Sequence, residues 1–286
     1  MADDYSKYEI RPDVVNYDDL RQMVPLLDGH PKLAGFLLHL LRIDEVNRVH
    51  GAACDTPGAE FSRRLLEMWN IKLRIDGEKV LSHLPEGAFI TVSNHPFGAI
   101  DGIILIHLIG QYRPEFKVMV NMLLNKITAM RPNFIAVDAL SSDDPKKRAV
   151  SVAGIRAVMR QLSEGHPVGF FPAGAMSKTT LRNGLQDRPW QESVLKIIQK
   201  AKKPVIPIFF HGRNSRLCNI MGHVCWPLRS LMIPREMFNK SNTTVHVSIG
   251  EPISVEKQME YSSWQALGEM LRRKTYELRD RYNDKK

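Results

Sequence analysis

The chain has 286 residues, 43% of them hydrophobic, with 40 Lys and Arg against 31 Asp and Glu and a formal net charge of +9. This length suits one large domain with a sizeable core, and three cysteines (Cys54, Cys218 and Cys225) without metal-like spacing speak for a reducing compartment and against a disulfide framework. The opening Met-Ala-Asp-Asp-Tyr lacks the basic and apolar segments of a signal peptide, and the longest apolar run, 103–110, falls far short of the roughly 18 residues of a bilayer span.

The charge is uneven: residues 1–70 carry −4 and the remainder +13. A basic body suits anionic lipid headgroups, an acidic carrier protein or nucleic acid, but little interleaving of aromatics with Lys and Arg speaks against nucleic-acid readout. Two N-terminal stretches read as helices. Residues 31–41 are apolar over much of their circumference, and residues 57–69 place Phe61, Leu65, Met68 and Trp69 at helical spacing. Residues 1–70 are therefore expected to form a helical segment that covers a sheet or docks on a membrane surface, ahead of a main domain over 71–286.

From residue 71 the pattern alternates. Strands are expected at 71–75, 88–92, 116–120, 134–137, 168–171, 205–210 and 244–249, with helices near 103–109, 147–163, 191–202 and 264–282. Such alternation predicts an α/β fold, with a mixed, largely parallel sheet of about seven strands flanked by helices. Residues 222–242 read as an irregular surface excursion.

The central stretch is Ser93-Asn94-His95-Pro96-Phe97-Gly98-Ala99-Ile100-Asp101-Gly102, between a β-prone run and an apolar helix. Pro96 and Gly98 allow a sharp reversal that brings His95 back towards Asp101, which stands where a helix N-cap would. A carboxylate at one ring nitrogen fixes the tautomer and leaves the other nitrogen to take a proton from a hydroxyl. A second turn, Gly169-Phe170-Phe171-Pro172-Ala173-Gly174-Ala175-Met176-Ser177-Lys178, also follows a buried run, and its small residues permit close approach. A third, Phe209-Phe210-His211-Gly212-Arg213-Asn214-Ser215, offers His211 as a second candidate base. Asp187, before Pro189, reads as a cap for the helix that follows.

Asn94-His95-Pro96 with an aspartate just before a hydrophobic helix resembles the first motif of the glycerolipid acyltransferase family, which includes the 1-acylglycerol-3-phosphate acyltransferases. The family usually has four residues between His and Asp, and here there are five. The longer form with Pro-Phe-Gly is similar to the hemolysin-like branch, some members of which acylate lyso-ornithine or lyso-glycine lipids. Residues 171–177 resemble the family's Phe-Pro-Glu-Gly-Thr-Arg-Ser, with Ala173 in place of the glutamate and Met176 in place of the arginine. Asp138 likewise lacks the arginine expected after it. These departures imply an acceptor other than glycerol phosphate, because a dianion in a partly dry cleft calls for an Arg fork. Lys178, Arg182 or Arg188 would suit a single carboxylate.

The resemblance, which runs from about residue 71 to the C-terminal helix, implies an O-acyltransferase with His95 and Asp101 as its catalytic pair. Substrate contacts are expected from Asn94, Phe97, Gly98, Pro172, Ala173, Gly174, Lys178, Asn214 and Ser215. No cofactor or metal is expected, only acyl-carrier protein or acyl-CoA as co-substrate, a lysolipid acceptor, and a cytoplasmic location on the inner face of the membrane. The alternatives are a 1-acylglycerol-3-phosphate acyltransferase and, in another class, a hemolysin-like membrane binder or scaffold without catalysis.

Overall fold

Alternating β-prone and amphipathic segments resolve, in the computed structural model, into one seven-stranded sheet with helices on both faces. The structure describes residues 5, 7–138, 145–180, 184–224 and 231–283, so Arg182 and Cys225 lie outside the described residues. The sheet strands are β1 (Lys72–Asp76), β2 (Ile90–Ser93), β3 (Lys117–Asn121), β4 (Phe134–Val137), β5 (Val168–Phe170), β8 (Val205–His211) and β9 (Thr244–Ile249). They lie in the order β1-β9-β8-β2-β5-β3-β4, and every neighbouring pair is parallel except β8 with β9. All seven expected strands are present, within two residues of their expected starts. A separate antiparallel hairpin of β6 (Lys178–Thr180) and β7 (Gly184–Gln186) was not expected, because three-residue polar strands carry no usable periodicity.

β2 and β5 are buried along their whole length, as befits central parallel strands covered on both faces. One face carries α4 (Ala59–Met68) and α6 (Ala99–Gly110), whose Phe61, Leu65, Ile104 and Ile106 pack with Phe89, Ile208, Phe210 and Val247 of the sheet region. The other carries α7 (Pro145–Ser163), α8 (Glu192–Ala201) and α12 (Trp264–Asn283). From these helices Val158, Leu162, Leu195, Ile198 and Leu271 meet Ile90, Val92, Val168 and Phe170. α6 is apolar around its circumference because α4 covers the side the sheet does not; a Cβ at Gly110 would stand 2.6 Å from Cβ of Ala59.

The N-terminal layer also contains α1 (Tyr17–Met23), α2 (Pro31–Leu40) and α3 (Ile43–Gly51), so the two expected N-terminal helices appear as α2 and α4. The remaining helices are α5 (Glu78–Leu81), α9 (Arg216–Val224), α10 (Ile233–Phe238) and α11 (Val255–Met259). Residues 222–242, expected to be irregular, instead hold the end of α9 and all of α10 among their described residues; Pro234 starts α10 rather than breaking it, because a first-turn proline forfeits no helical hydrogen bond. Among the described residues no helix is long and apolar enough to cross a membrane.

The architecture places the site. β2, β5 and β8 are adjacent and parallel, so the turns that follow them, 94–98, 171–177 and 212–215, gather at one edge of the sheet. That is the carboxyl-end crevice where open α/β sheets bind ligands.

Candidate active site

His95 and Asp101 meet at the turn between β2 and α6. Gly98, with φ 86°, is the N-cap, so α6 starts at Ala99, four residues before the expected apolar run. Asp101 is consequently the third residue of the helix rather than its cap. Its Oδ2 accepts the backbone N–H groups of Phe97 (2.9 Å) and Gly98 (3.0 Å), which a helix start would otherwise leave unpaired. Nδ1 of His95 lies 3.0 Å from the same oxygen. The contact is one of distance rather than an aligned hydrogen bond, and among the described residues Asp101 Oδ1 is buried without a partner; such contacts commonly align only when substrate is bound. The Asp101 side chain is 0% exposed and that of His95 19%. Burial pushes the Asp101 carboxyl above its ordinary range, against the opposing pull of His95 and the two backbone donors.

The turn after β5 forms the wall beside the histidine. Phe171 stacks on the His95 ring with centroids 4.2 Å apart and planes 29° apart, and the Ser177 N–H donates to the His95 carbonyl at 2.8 Å. Met176 packs on Gly98 so closely that a Cβ there would lie 2.9 Å from its Sδ. Gly98 is thus required both by its left-handed backbone and by this approach. Pro172 and Ala173 are buried, the Pro172 carbonyl accepting the Gln191 N–H at 2.8 Å, while Gly174 (φ 62°) lies under the Gln191 side chain. Lys178 opens β6 and pairs with Gln186 across the hairpin.

The turn after β8 completes the crevice. Asn94 exchanges two side-chain hydrogen bonds with the main chain of Phe210, donating at 2.9 Å and accepting at 2.7 Å, and so ties the end of β2 to β8. Asn214 Nδ2 donates to the Phe97 carbonyl at 3.3 Å and lies 3.8 Å from Met176 Sδ, linking all three turns. Ser215 caps α9 by accepting the Cys218 N–H, and its own N–H and hydroxyl both donate to buried Glu236, at 2.8 and 2.6 Å. Lys240 Nζ sits 4.5 Å from the Phe97 ring centroid and donates to the Arg213 carbonyl; burial holds its ammonium below the ordinary range. His211 stands apart from His95, its Nε2 2.8 Å from Ser248 Oγ and its ring stacked on His246.

Asp187 does not cap α8, whose N-cap is Gln191; its carboxylate instead turns inward to the His95 turn, where several donors compensate its burial. Glu236 and Lys240 were not singled out in the sequence. They lie in the stretch read as irregular, and only a period-3.6 signal too short to see over α10's six residues marked it as helical. Among the described residues no three His, Cys, Asp or Glu converge as a metal-binding group.

Chemically, the arrangement is a histidine whose Nδ1 is directed to a buried carboxylate at a helix start, with the rest of the ring at the crevice. That suits removal of a proton from a hydroxyl.

A family model described as Acyltransferase matches residues 20–284. The chain is 28% identical over 231 residues to the lyso-glycine lipid O-acyltransferase of Bacteroides thetaiotaomicron, covering 77% of this chain and 80% of that protein. It is 27% identical over 231 residues to the lyso-glycine lipid O-acyltransferase of Phocaeicola vulgatus, covering 77% and 78%. Among solved structures, the 1-acyl-sn-glycerophosphate (LPA) acyltransferase PlsC from Thermotoga maritima is similar with a TM-score of 0.53 at 16% identity, over 87% of this chain and 88% of that one. The last likeness is one of fold, and it bears out the α/β class read from the sequence.

Proposed function

Because the chain belongs to the acyltransferase family, we propose that it moves a fatty acyl chain from an acyl thioester to the hydroxyl of a lyso-amino-acid lipid of the glycine or ornithine type, with His95 as general base. The observation that carries this is the His95–Asp101 pair, 3.0 Å apart at the carboxyl ends of β2, β5 and β8, with the carboxylate buried and the imidazole at the crevice. His95 Nε2 takes the hydroxyl proton as the oxygen attacks the thioester carbonyl. The carbon–sulfur bond breaks, and the thiolate leaves with the proton from the imidazolium. Asp101 orients the ring and stabilises its charged form.

The acceptor class follows from charge. Ala173 and Met176, at 4% and 5% exposure, occupy the positions where phosphate-accepting enzymes of this family carry a glutamate and an arginine, so these two positions offer no charged partner for a dianion. The names of the two bacterial relatives point to an amino-acid lysolipid acceptor. The basic body suits either anionic donor, acyl-carrier protein or acyl-CoA. We also infer association with the inner, cytoplasmic face of the membrane; docking on a membrane surface is what α2 supports, where Leu33, Phe36 and Leu40 are exposed apolar residues at helical spacing and Leu26 before them is 85% exposed.

An acyl-transfer assay with purified wild type and His95→Ala tests the proposal. Lyso-glycine lipid, lyso-ornithine lipid and 1-acylglycerol phosphate are offered in parallel with both donors. Transfer to an amino-acid lysolipid that falls about 10²–10⁴-fold in the variant is the expected result. Transfer to 1-acylglycerol phosphate alone would overturn the acceptor class, and liposome leakage without transfer in either protein would move the chain to the non-catalytic membrane binders.

A further inference from the structure

A second buried carboxylate, Asp187, holds the main chain of His95, whose imidazole faces Asp101. Asp187 is 6% exposed, and three donors converge on it. Its Oδ1 accepts the His95 backbone N–H at 3.2 Å and the Ser177 hydroxyl at 2.5 Å, and its Oδ2 accepts the Trp190 indole N–H at 3.3 Å. Ser177 closes the clamp by donating its own N–H to the His95 carbonyl at 2.8 Å. The main chain of His95 is therefore gripped at both its N–H and its C=O. Behind it, α12 secures Asp187: its N–H donates to Tyr276 Oη at 2.8 Å, and its carbonyl accepts from the Arg272 guanidinium at 3.2 Å.

The donors at the two carboxylate oxygens are all neutral. An asparagine would satisfy Oδ1 equally well, but would set an NH₂ group against the Trp190 N–H. A carboxylate here therefore brings charge as well as geometry: burial pushes the Asp187 carboxyl above its ordinary range, the Ser177, His95 and Trp190 donors oppose that rise, and the charge lies within electrostatic reach of the His95 imidazole. Asp101 from α6 and Asp187 face His95, Tyr276 and Arg272 from α12 face Asp187, and Lys240 lies within electrostatic reach of Asp101.

We propose that Asp187 is a positioning residue for His95, pinning its main chain in the crevice and supplying a second negative charge that supports the imidazolium formed during transfer. This rests on the role given to His95 above, and the test separates the two. Asp187→Asn is compared with wild type, alongside Asp187→Asn in a Trp190→Phe background, which removes the opposed N–H groups and keeps a folded variant available. The His95 imidazole is titrated by NMR in the folded protein, assigned by its loss in His95→Ala, and kcat and KM are measured across pH. The expected result is that removing the neighbouring negative charge shifts the His95 titration downward, matched by the acid limb of kcat. In addition kcat should fall by about tenfold or more, with KM within about threefold. An unchanged His95 titration in a folded variant would overturn the proposal, whatever the effect on rate. A shifted titration in a protein that acylates no lysolipid would sustain the electrostatic role of Asp187 while removing the proposed function.

Discussion

At the end of β2, Nδ1 of His95 lies 3.0 Å from Asp101; two strands away, Nε2 of His246 on β9 lies the same 3.0 Å from Asp76 at the end of β1. In the first pair the carboxylate is sealed, at 0% side-chain exposure, and the imidazole reaches the crevice at 19%. In the second the order is reversed, with His246 at 9% and Asp76 at 28%. The His246 ring is further covered by His211, stacked 4.4 Å away at 17°, and its strand is paired on both sides, residue 246 opposite Arg74 and His211. A histidine beside an aspartate is thus not in itself a base. The carboxylate must be held by other donors, as Phe97 and Gly98 hold Asp101, and the distal nitrogen must be left to a substrate.

The comparison breaks most sharply at Asp101. Asp101→Asn is expected to lower kcat by about 10²-fold or more, whereas Asp76→Asn leaves it within about threefold. Stability should move the opposite way from activity. Burial raises the Asp101 carboxyl, so its folding contribution is complete below the ordinary carboxylate range and lost as pH rises through the raised value. The Asn variant escapes that loss, and urea melts at pH 4 and pH 7 should find its stability relative to wild type improving with pH. A constant difference would mean that the carboxylate is not strained by burial.

A smaller effect is expected at Gly98. Its φ of 86° and the 2.9 Å approach of Met176 Sδ predict that Gly98→Ala costs about 1–3 kcal/mol. Adding Met176→Ala should restore only part of the stability, since it relieves the crowding and leaves the backbone strain; full restoration in thermal melts would assign the whole cost to crowding.

The smallest effect concerns a third histidine, His50 of α3, which is buried and whose two ring nitrogens both meet main-chain groups. Its Nδ1 meets the Pro12 carbonyl at 3.0 Å and its Nε2 accepts the Ala129 N–H at 3.4 Å. Burial lowers its titration, so its contribution is present above about pH 6.5 and lost as pH falls through the lowered value. Hydrogen exchange at Ala129 should therefore quicken by about threefold on acidification from pH 7 to pH 5, beyond its intrinsic pH dependence, and His50→Phe should abolish that increment.

Much of this molecule was legible in its residues. Alternation placed every strand of the main sheet, because strands buried on both faces need near-continuous apolar runs, and Ala88 to Val92, interrupted by Thr91, and Val205 to Phe210 have them. The His95 turn was legible too, since proline and glycine between a strand and an apolar helix leave the chain few other courses. Pairing was not. Nothing local told that β9 would lie antiparallel to β8, or that β1 would join the sheet beside it, since both choices depend on which apolar faces meet across the core.

The division between sequence and tertiary structure is clearest in three carboxylates. Asp101 is six residues from His95, and its role follows from local chain geometry, which short-range sequence can express. Asp187 stands 92 residues from His95 and reaches it only because the segment after β5 folds back over the end of β2. Glu236 meets Ser215 across 21 residues through a helix too short to announce itself. Sequence by itself determined the strand pattern, the turn that carries His95 and Asp101, and the uncharged residues at 173 and 176. Only the tertiary structure decided which acids surround that turn, because a buried charge is tolerated only where donors from distant segments converge on it.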